Sequence, residues 1–86
     1  MNTIETTKTK QLSIPVGFQY SSPASGKEWV VTGIRPGGVC EIHQVGRFVS
    51  GQIYTRDIRI AVDAGTAVPM ETTEAARKIL RRCNFR

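Results

Sequence analysis

Residues 27–45 read Lys-Glu-Trp-Val-Val-Thr-Gly-Ile-Arg-Pro-Gly-Gly-Val-Cys-Glu-Ile-His-Gln-Val, and they decide the fold class. Lys27 to Ile34 is rich in β-branched and aromatic residues, which suit a pleated, half-buried surface. Arg35-Pro36-Gly37-Gly38 then supplies the fixed and positive φ values of a tight turn. Val39 to Val45 resumes the apolar pattern as another strand. Two strands joined by a glycine-rich turn make a hairpin, and the rest of the chain is read outward from it.

On the N-terminal side, Leu12, Ile14, Val16, Phe18 and Tyr20 alternate with Gln11, Ser13, Pro15, Gly17 and Gln19. A period of two predicts a strand with one buried face. Pro15 cannot donate to a ladder, so this strand is expected at an edge or broken there. Gly17 marks a bulge or bend, and Ser21 to Gly26 is a turn-rich loop. The first ten residues carry Ile4 as their one sizeable aliphatic and are expected to form a flexible tail. Residues 11–86 then form a single β-rich domain.

On the C-terminal side, Gly46 and Gly51 bracket Arg47, Phe48 and Val49. Ile53 and Tyr54 start another strand, and Ile58, Ile60 and Val62 alternate again from Asp57 to Val62. Residues 63–69 read as a connector. Helix signals follow over about 72–83: Thr72 as N-cap, Glu74 in the first turn, and Ala75, Ala76, Ile79, Leu80 and Cys83 at helical spacing. The expected fold is mainly β with one C-terminal α-helix. It is a small SH3-like barrel or a strongly bent antiparallel sheet of 4–5 strands, with the helix over an open end or a face.

The chain has 86 residues and a net charge of +5, and its pI is about 9.8. Arg77, Lys78, Arg81, Arg82 and Arg86 are the densest part of the excess, which favours an acidic protein surface or a polyanion as partner. No apolar run is long enough for a transmembrane helix, and no apolar core of a signal peptide stands at the N-terminus. A cytoplasmic location without membrane association is expected. Cys40 and Cys83 fit no CxxC or zinc spacing and are expected as reduced, packed thiols.

Catalytic chemistry finds little support. His43, the one histidine, lies three residues from Cys40 on the same strand, so the two point to opposite faces and do not form a nucleophile–base pair. Glu41 and His43 share a face, which specifies no reaction. A metal site needs three or four converging ligands, and no phosphate-binding or hydrolase motif is present. The Gly33–Gly38 loop offers amides and Arg35 to a phosphate, but Pro36 removes one amide and a plain hairpin turn accounts for it. The reading is of a chain that is not an enzyme and takes no cofactor.

Binding is better supported. For nucleic acid, Tyr20, Trp29, Phe48 and Tyr54 are candidate stacking residues, with Lys27, Arg35, Arg47, Arg56 and Arg59 on phosphates. Against that, a core this small needs Phe18, Trp29 and Phe48. The basic helix is equally explained by dipole complementarity, with Glu71 and Glu74 early and bases late. For protein, the Leu12–Tyr20 strand at an edge would pair with another chain, either a second copy or a foreign target.

The stretch Gly17-Phe18 with Gly26-Lys27-Glu28-Trp29-Val30-Val31 resembles the opening strands of SH3-like barrels, a likeness of fold that carries no function. The size and lack of enzyme motifs are similar to small accessory proteins of phages and plasmids, which act by binding a host complex. The leading expectation is a non-catalytic module that occupies a surface of a protein partner. Its contacts are Arg47, Arg56, Arg59, Arg77, Arg81 and Arg82, with Trp29 or Tyr54 as anchor. A nucleic-acid-binding small β-barrel is the alternative, and a homodimer stays open.

Overall fold

The computed structural model describes residues 12–84; the expected tail at 1–10 lies outside the described residues. Five strands form one open antiparallel sheet: β1 (Gln19–Ser22), β2 (Lys27–Arg35), β3 (Val39–Gln44), β4 (Ser50–Tyr54) and β5 (Val68–Met70), in spatial order β4-β3-β2-β1-β5. Helix α1 (Thr55–Ala64) joins β4 to β5, and α2 (Glu74–Asn84) follows β5. Among the described residues no helix is long and apolar enough to cross a membrane.

The first four strands are a meander, with the central hairpin where the sequence placed it: Val31 pairs with Ile42, Ile34 with Cys40 and Arg35 with Val39. The sheet does not close, so it is no barrel. Its edges β4 and β5 are bridged by α1, which must therefore cross the whole sheet. Ten residues span about 15 Å, close to the roughly 19 Å between the outer strands of a five-stranded sheet. Gly65 at φ 82° caps the helix, its amide bonding to Val62 O, and Thr66 to Ala67 complete the crossing.

This crossing corrects the reading of Asp57–Val62 as a strand. The true inward set is Ile58, Ala61 and Val62 at helical spacing; Ile58 is fully buried, whereas Ile60 is 61% exposed. The apparent alternation through Ile60 was a coincidence of composition. The expected connector likewise holds the end of α1 and the first two residues of β5.

The N-terminal strand is also shorter than its pattern. Residues 12–18 are irregular, and a turn at Pro15–Phe18 (Phe18 N to Pro15 O, 3.0 Å) uses Gly17 at φ 101°. Val16 is exposed, so the alternation fails at the turn. What remains as β1 is interior, paired with β2 on one side and β5 on the other. It is therefore not an edge, and Pro15 does not sit in the ladder.

Both faces of the sheet are covered. On one, Tyr20, Val31, Cys40 and Ile42 pack with Ile14 and with Ile58 of α1, joined by Phe18, Trp29 and Ile53. On the other, Gln19, Val30 and Thr32 are buried and α2 lies over them, with Ala76 fully buried. Phe48, expected in the core, is 96% exposed at the β3–β4 turn.

Candidate functional site

The register of β2 and β3 slips between Val31 and Gly33, leaving Thr32 as an unpaired bulge residue. A bulge re-aims its side chain. Here the Thr32 hydroxyl donates to the Glu41 carbonyl at 3.3 Å and lies 3.1 Å from His43 Nδ1. When the hydroxyl proton goes to Glu41, Nδ1 carries the hydrogen of that second bond. His43 Nε2 is then the bare nitrogen. It faces Cys83 Sγ of α2 at 3.6 Å.

His43 and Cys83 line a cleft of about 720 Å³ between α2 and the β3–β4 turn. Val49, Ala75 and Ile79 give it an apolar lining, and Phe48 lines it too, with the Arg82 guanidinium 6.0 Å from the ring centroid. Arg47, Lys78 and Arg82 line it with one acid, Glu74. Glu74 is already engaged by Arg81 at 3.2 Å and Arg77 at 3.6 Å. The Arg81 hydrogen bond is the main cause holding the Glu74 carboxyl below its ordinary value; desolvation opposes it, and the charges of Arg81 and Arg77 add to it. Among the described residues, Arg47, Lys78 and Arg82 have no carboxylate partner.

A second, smaller cleft of about 410 Å³ lies at the start of α1, lined by Gly37, Gly38, Tyr54, Thr55, Arg56 and Arg59. Arg56 stacks over Tyr54 at 5.2 Å. Arg59 is committed to the fold, its Nε donating to Leu12 O at 3.0 Å.

The residues singled out from the sequence thus fall into separate places. Arg47 and Arg82 share the large cleft. Arg77 and Arg81 lie beside it, paired with Glu74. Tyr54, Arg56 and Arg59 are together at the second cleft. Trp29 packs against the α1-side core and does not stand out as an exposed anchor. Arg35 is held by Glu41, Nε to Oε2 at 2.7 Å.

Cys40 and His43 do point to opposite faces: Cys40 is buried under α1, with Sγ 3.0 Å from Thr55 Oγ1. The partner that sequence reasoning missed is Cys83. The signal was present, since Cys83 ends the apolar stripe of a helix that has to cover the face bearing His43. Among the described residues no three His, Cys, Asp or Glu side chains converge on a metal site. No protein-family model, no curated protein and no solved structure matches this chain.

Proposed function

We propose that this chain is a non-catalytic binding module that seats an acidic segment of a partner protein in the cleft between α2 and the β3–β4 turn. The observation that carries the reading is the pairing of an apolar lining and an almost fully exposed Phe48 with three cations that have no carboxylate partner among the described residues. An exposed aromatic beside guanidinium groups is typical of the anchors that dominate protein interfaces. The cleft volume lies in the range of sites that enclose a side chain or small ligand. The segment that fits has a large apolar residue flanked by Asp or Glu: the apolar side chain meets Ile79 and Phe48, and the carboxylates meet Arg47, Lys78 and Arg82.

Nucleic acid is less well served. Of the aromatic candidates on the sheet, Tyr20 and Trp29 pack with the core and leave only Tyr54 exposed, and Arg35 and Arg59 already have partners within the fold. Strand addition at residues 12–20 loses its basis with β1 in the interior. A second copy is a poor occupant, since two chains of charge +5 repel.

The test is selection of binders from a random peptide library. The expected outcome is enrichment of sequences with acidic residues around one large apolar residue, whose binding is lost in Phe48→Ala and in Arg82→Glu. Peptides without acidic residues, or binding indifferent to both variants, would overturn the reading. Oligonucleotide binding that weakens by orders of magnitude between about 50 and 200 mM salt would transfer it to nucleic acid.

A further inference from the structure

We propose that Cys83 and His43 form a nucleophile–base pair that undergoes stoichiometric thiol–disulfide exchange with an acidic disulfide entering the cleft. The pair is assembled by three elements: the β2 bulge places Thr32, β3 carries His43, and α2 carries Cys83. Thr32 acts through its neighbour as a positioning residue. Its hydroxyl lies 3.1 Å from Nδ1; in the proposed pair it accepts from Nδ1, which leaves Nε2 free to take a proton, the division of labour of a base oriented by a third group. Sγ lies 3.6 Å from Nε2, within the reach of a sulfur hydrogen bond, and lines the cleft rather than the closed core. Cys40 offers the contrast: it is fully buried, with a threonine hydroxyl rather than a base beside it.

The step balances without any other reactant. The Cys83 thiol gives its proton to Nε2 as Sγ attacks one sulfur of the entering disulfide. The new S–S bond forms on Cys83, the substrate's S–S bond breaks, and the departing thiolate takes the proton from His43. The protein thiol is oxidised to a mixed disulfide, and half of the substrate is reduced to a thiol. The choice of an acidic disulfide comes from Arg47, Lys78 and Arg82 around the approach. That preference rests on the same basic rim as the docking function; the exchange itself stands on the Thr32–His43–Cys83 geometry.

The experiment incubates the full chain with glutathione disulfide, which is acidic, or with cystamine, which is cationic. Adduct formation is followed by intact mass spectrometry and its site assigned by peptide mapping. A positioned base contributes about a hundredfold or more in favourable cases, so a loss of about tenfold or more in rate at Cys83 is expected for His43→Gln. Thr32→Val should slow it in part, and Thr32→Ser should restore it. Where a variant does not fold, the wild-type chain unfolded in urea is the reference, and Cys83 should react faster in the folded chain.

Glutathione disulfide should outpace cystamine in the wild type, with the order reversed or levelled in Arg82→Glu. Equal rates for wild type and His43→Gln, a folded chain no faster than the unfolded one, or modification at Cys40 alone would overturn the pair. Equal rates for the two disulfides would overturn the assigned substrate class. Loss of peptide binding in Phe48→Ala with exchange intact separates the docking function from this one.

Discussion

Gln19, fully buried in β1, holds the start of α2 onto the sheet through Thr73: its side-chain carbonyl accepts from the Thr73 amide at 2.9 Å and the Thr73 hydroxyl at 3.3 Å. Its amide nitrogen reaches Glu28 Oε1 at 3.4 Å. Thr73, not Thr72, caps the helix, with Ala76 N donating to Thr73 Oγ1 at 3.3 Å. Thr72 instead donates to Gly17 O at 2.7 Å. The cleft exists because these bonds set α2 at this distance from the β3–β4 turn. Leaving a buried donor without its acceptor costs about 1–3 kcal/mol. Gln19→Leu should therefore lower the unfolding free energy read from urea denaturation by that order, with the Thr73 amide among the first to lose hydrogen-exchange protection.

The helical reading of residues 55–64 separates two isoleucines that a strand would put on one face. Ile58→Ala removes a fully buried side chain and should cost about 2–5 kcal/mol. Ile60→Ala, on the exposed side of α1, should change stability by less than about 0.5 kcal/mol. Comparable losses for the two in denaturant unfolding would contradict α1.

Phe48 divides stability from binding. At 96% exposure its truncation should leave the unfolding free energy within about 0.5 kcal/mol of the parent chain. Binding of a selected acidic peptide should fall by about 2 kcal/mol, the scale of an interface anchor, or roughly 30-fold in Kd. Isothermal titration beside a melting curve reads both quantities.

Tyr20 sets an alkaline limit. Burial, with the electrostatic effect of Cys40 second, pushes its hydroxyl up to about 12 from 10.0. The unfolded chain then releases this proton near pH 10 while the folded chain keeps it until near 12. The stability that depends on a neutral Tyr20 is whole below pH 10 and is lost as the pH rises toward 12. The midpoint temperature should fall over that window, and Tyr20→Phe should flatten the fall. An unchanged slope in the variant would assign the limit to other groups.

Legibility of the fold followed how much of each pattern came from burial. The 27–44 hairpin was readable because both strands are β-rich and the Pro-Gly-Gly turn admits few alternatives. The C-terminal helix was readable from its apolar stripe, although the expected cap, Thr72, bonds Gly17 O and Thr73 caps the helix instead. Residues 57–62 were misread because Ile60 faces solvent, and an exposed isoleucine turns a helical spacing into an apparent alternation. Residues 12–18 were half read: the break at Pro15 and the bend at Gly17 were expected and are present, but the turn there breaks the alternation at Val16 and no strand forms before it. The cleft was half legible: Arg47 and Arg82 were named, but their convergence with Phe48 depends on which face α2 covers. The Cys83–His43 contact, 40 residues apart in sequence, needed that same fact of topology and the bulge at Thr32, which no local pattern announces.

The most direct measurement is an amide chemical-shift map of the full chain titrated at low salt with a glutamate-rich peptide carrying one central tryptophan, and separately with an oligothymidylate. The account predicts that the peptide moves the amides of residues 46–50 and 75–83 and leaves α1 still, and that Arg82→Glu abolishes the shifts. Shifts confined to residues 37–38 and 54–59, or a tighter and steeply salt-dependent response to the oligothymidylate, would contradict it.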